Sequence, residues 1–344
     1  MSSYAFWNNK GGVGKSFLGF IASTEYAHTN PDADVYVIDL CPQGNISETL
    51  LGGFDIEARA LTSLISSNPR KTVAGYLEAR LSSPFRMISD IDQYLSHPVD
   101  FNANIPENLW LVCGDNLLEI LSEAIRQTSQ LSVPFDAWKQ VISWISDLTA
   151  ALRKRSGDRD VMFVIDCNPS FAIYTQLGLV AADNIVVPFT ADDSSRRAIE
   201  NVIALLYGVG DKHTETYAKI SFSRKAIEEG VSQPKLHTFV SNRVTLYDGK
   251  PSKAFRVVNQ RVQSTVDRIH DKHRNFYAIP KEKPSTAFVQ VPDYHSACVY
   301  AATSGTPLHR IQPGPKILDG ERVQLNAEPL GRYKDALKGF VDRL

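Results

Sequence analysis

The chain has 344 residues, 37 Lys/Arg against 38 Asp/Glu for a formal net charge of −1, and 43% hydrophobic residues. That length and apolar content give room for one large α/β domain with additions, or for two domains, while no apolar run approaches the ~18 residues that cross a bilayer. The cysteines at 41, 113, 167 and 298 are too scattered for a disulfide framework or zinc site, and the histidines show no metal-ligand spacing.

Tyr4-Ala5-Phe6-Trp7 reads as a short strand, Asn8 to Ser16 as a glycine-rich loop, and Phe17 to Ala22 as the start of an apolar helix. Strand, glycine-rich loop, Gly-Lys-Ser and helix form the layout of a phosphate-binding loop. Glycines let backbone N–H groups close around phosphate oxygens, and the helix N-terminus adds partial positive charge. Lys15 would reach the β- and γ-phosphates and the Ser16 hydroxyl would bind Mg²⁺. The usual first glycine is Asn9, and a second lysine, Lys10, precedes the glycines. The strand begins at once, so no signal peptide is expected.

Val35–Asp39 is a strand ending in a carboxylate, followed by Leu40-Cys41-Pro42-Gln43-Gly44-Asn45. Between it and the next such strand, Leu61–Ile65 and Lys71–Ser82 read as helices and Asn108–Gly114 as a strand. The spacing of Trp138, Val141, Ile142, Ile145, Leu148 and Leu152 predicts one helix over Pro134–Arg155, with cations at its C-terminal end. Val161–Asp166 again ends in a carboxylate, able to hold Mg²⁺ through water. Asp183–Pro188 and Leu236–Arg243 follow as strands. This alternation predicts an α/β fold, a mostly parallel twisted sheet with helices on both faces. Lys15, Asp39 and Asp166 should then converge at the C-terminal strand ends.

From Arg243 to Lys283 there are ten Lys/Arg against four acids. Lys250, Lys253, Arg256, Arg261, Arg268, Lys272 and Arg274 are the candidates for contacts to a DNA backbone. A solvated helix face stands beside that reading, because Phe255, Val258, Val262, Val266 and Ile269 recur at helical spacing; Arg196-Arg197 could join the same surface. The Pro/Gly-rich stretch 305–315 is expected to detach residues 316–344 from the sheet. Within them Leu330–Leu344 is an amphipathic helix with a mixed polar face, so it should pack on the core or a partner, without stable membrane association.

Lys10-Gly11-Gly12-Val13-Gly14-Lys15-Ser16 resembles the deviant Walker A motif, Lys-Gly-Gly-X-X-Lys-Ser/Thr, of the ParA/MinD (SIMIBI-class) ATPases. The Pro-Gln-Gly-Asn loop after Asp39 and the Asn-Pro-Ser loop after Asp166 are similar to that family's switch and Walker B segments, and to ParA-type partition ATPases in particular. The resemblance runs from residue 4 to about residue 245. It implies a P-loop NTPase domain over 1–305, with a helical insertion at about 50–155 and a basic segment at about 243–283, followed by a connector and C-terminal helix over 306–344. It implies ATP and Mg²⁺ as cofactors, with nucleotide contacts from Asn9, Lys10, Gly11, Gly12, Val13, Gly14, Lys15, Ser16 and Phe17. Asn242 and Arg243 would lie near the adenine, a loose match for which a plain strand end is the competing reading. Ser16, Asp39 and Asp166 would serve the metal, and Lys10, Lys15 and Asp39 the chemistry, Lys10 by crossing a dimer interface to the partner's nucleotide.

Further expectations follow from the family: a homodimer on ATP, non-specific DNA binding, a site-specific DNA-binding adaptor that stimulates turnover, and a cytoplasmic, nucleoid-associated location. The function implied is segregation or positioning of plasmid, chromosome or other cargo. One position departs from the pattern. Cys41 stands where the family usually carries a second switch carboxylate, and a thiol of reference pKa ~8.5 replaces it poorly. Slow turnover, or a nearly non-hydrolysing ATP-locked regulatory clamp, is one consequence; a buried small residue with the water placed by other groups is the other. A MinD-type membrane role is disfavoured by the switch sequence, and an amidotransferase or ligase by the lack of recognisable substrate residues.

Overall fold

The computed structural model describes residues 2–53, 59–190, 192, 194–210, 212–218, 221–247, 250–318 and 320–344. Seven strands build one sheet: β1 (Ser2–Phe6), β2 (Ala33–Leu40), β3 (Leu109–Val112), β4 (Asp160–Cys167), β5 (Asn184–Thr190), β6 (Lys235–Val244) and β7 (Phe288–Pro292). Their spatial order is β3-β2-β4-β1-β5-β6-β7, with every neighbouring pair parallel. A parallel sheet is covered on both faces, so its strands read as unbroken apolar runs; all eight residues of β2 are buried. The pleat still sorts side chains between two cores. Ala5 and Trp7 pack with Tyr36, Phe163 and Phe189 on one face; Tyr4 and Phe6 pack with Leu18, Ile21 and Phe340 on the other.

Five helices matter for the site: α1 (Lys15–Thr29), α2 (Asn45–Leu50), α3 (Ser195–Tyr207), α4 (Lys253–Lys272) and α5 (Ala327–Val341). α1 leaves the loop after β1 directly, and α2 starts five residues past the end of β2. α3 stops at Gly208, whose φ of 70° is the left-handed turn a helix C-terminus favours. α4 starts where the Ser252 hydroxyl accepts from the Phe255 N–H.

Three sequence expectations are revised. The helix expected over 134–155 is two, Ala137–Ile142 and Trp144–Arg155, separated at Ser143, where ψ opens to 0° and the hydroxyl bonds the Lys139 carbonyl at 2.7 Å. β7 was not foreseen: its five residues offer only Phe288, Val289 and Val291 as strand formers and end on Pro292, a residue that argues against a strand. The connector does not detach the C-terminus. After the hairpin Gly314–Leu318/Glu321–Leu325, α5 buries Leu330, Tyr333, Leu337 and Phe340 against the sheet face that carries α1. Phe340 meets Phe6 edge-on at 6.2 Å, and the Tyr4 hydroxyl donates to the Leu344 carbonyl. No helix among the described residues is long and apolar enough to cross a membrane.

Candidate functional site

Gly12 and Gly14 have φ of 72° and 91°, a region that side chains with a Cβ avoid. A Cβ built at Gly11 or Gly12 would meet nothing within 4 Å, so the loop is open at its tip; one at Gly14 would lie 2.2 Å from Asn242 Nδ2. Asn8 braces the loop, donating to the Pro188 carbonyl at 2.8 Å and accepting from the Lys10 N–H at 3.0 Å. α1 begins with no side chain capping its N-terminus, which leaves its first N–H groups free for an anion. The buried Lys15 amine reaches back to the Lys10 carbonyl at 3.1 Å. Burial lowers its pKa, and the nearby Asp166 opposes that shift.

Register sets the carboxylates side by side, since Asp39 on β2 pairs with Asp166 on β4, and Asp166 pairs with Phe6 on β1. Their environments differ. Asp39 accepts from the Cys41 N–H at 2.9 Å, from the Ser47 hydroxyl at 2.6 Å and from the Ser47 N–H at 3.3 Å. It therefore ties the switch loop to the first turn of α2. Burial pushes it up to about 6, against those three donors. Asp166 is fully buried and neither carboxylate oxygen has a hydrogen-bond partner. Burial first, then the Asp39 charge, pushes it up to about 8, while Ser16 and Lys15 pull the other way. Two bare carboxylate oxygens beside an ammonium and a serine hydroxyl are what a hydrated cation would satisfy. No group of three or more His, Cys, Asp or Glu among the described residues could hold a metal alone, so Mg²⁺ would lean on water and phosphate as well.

Cys41 is buried, and burial followed by the charges of Asp39 and Asp166 pushes its thiol up to about 12. It is neutral at physiological pH and cannot accept a proton as a carboxylate would. Asn168 instead uses its carbonyl for the Trp7 indole N–H at 3.0 Å and its side-chain oxygen for the Ser170 N–H at 2.9 Å.

Lys10 turns away from its own loop toward β5. Its amine lies 3.3 Å from the Thr190 hydroxyl and forms an ion pair with Asp192. Asp192 also accepts from Ser194 and Ser195 at the start of α3. Partial burial would raise Asp192, but the Lys10, Ser194 and Thr190 donors outweigh it and hold the carboxyl well below its usual range. Ser47, Thr190 and Asp192 escaped the sequence reading. Asp192 carried a usable signal, an acid just past an apolar strand, as at Asp39 and Asp166.

Asn242 lies against the loop and donates to the Val13 carbonyl at 3.0 Å. Arg243, at φ 57°, is the one non-glycine residue with left-handed backbone among the described residues. Gly14, Phe17, Asn242, Arg243, Tyr294 and Tyr333 line a cleft of about 20 Å³, space for one water and too little for a nucleobase without side-chain movement. Tyr333 belongs to α5, so the C-terminal helix closes this end of the site. The DNA candidates lie elsewhere. Lys253, Arg256, Arg261, Arg268 and Lys272 are exposed along α4 and Arg274 is exposed just beyond it, while the Lys250 side chain lies outside the described residues. Arg261 shares a recess with Asp192, Arg196, Arg197 and Val258.

Residues 1–220 match the family described as AAA domain. Among solved structures, apo McdA of Cyanothece superposes with a TM-score of 0.58 at 13% identity over 98% of each chain. An ATP complex of a McdA variant gives 0.56 at 15% identity over 98% of this chain and 96% of that one. A plasmid partition protein from Borrelia burgdorferi gives 0.54 at 14% identity, covering 100% and 99%. At these identities the likeness is one of fold. A search of curated proteins found no match.

Proposed function

The chain belongs to the AAA-domain family of ParA/MinD-type ATPases, and on that premise we propose that it binds ATP with Mg²⁺, dimerises across the nucleotide and hydrolyses it slowly. The observation that carries this reading is Asp166, with two buried, unpartnered oxygens set beside Lys15 and Ser16. Bound Mg²⁺ would neutralise charge on the transferring phosphoryl group. The rest falls to this chain. The N–H groups from Gly11 to Ser16 and the α1 N-terminus hold the phosphates, Lys15 supplies positive charge, and Ser16 and Asp166 hold the cation. Asp39 fixes the switch loop through Ser47. Asn242, Arg243 and Phe17 border the base. Lys10 leaves Asp192 to reach the partner's nucleotide.

The dimer binds DNA without sequence preference through the basic surface of α4 and moves or positions a DNA cargo with an adaptor that speeds turnover. The fold shared with McdA and the Borrelia plasmid partition protein supports this role. Light scattering with ATP and Mg²⁺, followed by identification of the retained nucleotide, tests it. A dimer that decays to an ADP-bound monomer is expected, with Lys10→Ala staying monomeric. No ATP-dependent dimer, and a Lys10→Ala protein identical to wild type, would refute the reading. The neutral Cys41 favours a second outcome, a persistent dimer holding intact ATP, which marks a regulatory clamp.

A further inference from the structure

α3 and α4 run beside each other and enclose two recesses of about 390 and 510 Å³. Arg196 and Arg197 come from the first turn of α3. Arg261, Arg268 and Lys272 come from one face of α4, at i, i+7 and i+11. Those eleven residues rise about 16 Å along the helix, and duplex DNA carries a phosphate on each strand every ~3.4 Å of its axis. The groove therefore spans several phosphates.

Its cations are not equally available. Arg197, Arg261 and Lys272 have no ion-pair partner among the described residues. Arg196 and Arg268 share one, Glu200, at 2.7 and 3.6 Å. Glu200 stands on α3 four residues after Arg196 and reaches across the groove to α4. Among the described residues the other acids facing the groove are Asp192, which Lys10 holds in the nucleotide-free chain, and Glu215 at the far end. We propose that the groove between α3 and α4 takes the DNA phosphate backbone and that Glu200 is an internal phosphate mimic, occupying two of its five cations and setting the affinity. This rests on the DNA-binding reading above and adds the residue that limits it.

Glu200 gives the inference a readout in the direction opposite to damage. An isosteric amide frees both arginines, and each added phosphate contact steepens the dependence of log affinity on log salt by about 0.9. Fluorescence anisotropy on a random-sequence duplex, with ATP and Mg²⁺ present, would compare wild type, Glu200→Gln and Glu328→Gln. Glu328 makes a similar i,i+4 pair with Arg332 on α5 and controls for net charge. Expected is several-fold tighter binding by Glu200→Gln at about 0.1 M salt, a slope steeper by about 1 to 2, and no change for Glu328→Gln. Wild-type binding that Glu200→Gln leaves unaltered, or that Glu328→Gln raises equally, would overturn the role of Glu200 alone. No binding by any of the three would overturn the DNA reading and this inference together. Arg197→Ala with Arg261→Ala should weaken binding and flatten the slope; unchanged binding would place the DNA on another surface.

Discussion

Asp166 pays for its burial with a displaced proton equilibrium, because moving an unpaired carboxylate from water into an apolar interior favours the neutral form. Asp39 and Asp166, pushed to about 6 and about 8, both hold protons more tightly in the folded chain than in the unfolded one, where carboxylates titrate near ~4. Between about pH 4 and pH 8 the native state therefore binds more protons, and stability falls as pH rises through that window. The melting temperature of the nucleotide-free protein should drop steadily from pH 5.5 to about 8.5 and level beyond, with Asp166→Asn flattening most of the slope; a rise over that range would contradict desolvation as the cause. Cys41 is the second position with a direct chemical consequence. As a neutral thiol it cannot orient water as a carboxylate does, so Cys41→Asp should raise ATP turnover by about tenfold or more. Equal rates for the two proteins would mean that other groups place the water.

α5 is where an element departs furthest from its local signature. Its sequence reads as a half-apolar helix behind a Pro/Gly-rich stretch, yet it closes the core over Phe6 and α1 and sends Tyr333 to the cleft beside Gly14 and Asn242. Leu337 is fully buried there. Leu337→Ala should cost about 2–5 kcal/mol in urea unfolding, since it loses apolar burial and leaves a cavity. Arg332→Ala on the exposed face should stay within about 0.5 kcal/mol. A Leu337→Ala protein as stable as wild type would mean that the helix is dispensable to the core. The switch loop teaches the complementary lesson: a six-residue helix such as α2 has little stability of its own, and the hydrogen bonds of Ser47 to Asp39 pin its first turn.

At the scale of the whole molecule, the site exists because parallel strands deliver their C-terminal ends to one edge, where β1, β2 and β4 bring the phosphate loop and both carboxylates together. On the proposed function, in which Lys10 reaches a second nucleotide, the subunit is completed only by association, which would tie stability to concentration. With ATP and Mg²⁺ the melting temperature should rise with protein concentration, and without them it should not. Lys10→Ala should abolish the concentration dependence while keeping some stabilisation by nucleotide. A melting temperature independent of concentration under all conditions would argue against the nucleotide-bridged dimer.

The amino-acid sequence determined the phosphate loop, the two strand-end carboxylates and the parallel α/β class, because those signals are local: glycine spacing, unbroken apolar runs, an acid at the end of each. It also determined which helix faces are apolar, as at Phe255, Val262 and Val266. Only the tertiary structure decided what those residues meet. Lys10 pairs with an acid 182 positions away, Glu200 bridges two helices, and α5 returns to the first strand. No short-range pattern encodes such pairings, because they depend on how strand order and helix packing fold distant segments together. The same tertiary burial set the protonation of Asp39, Asp166 and Cys41, since a side chain's charge state follows its solvent and its neighbours.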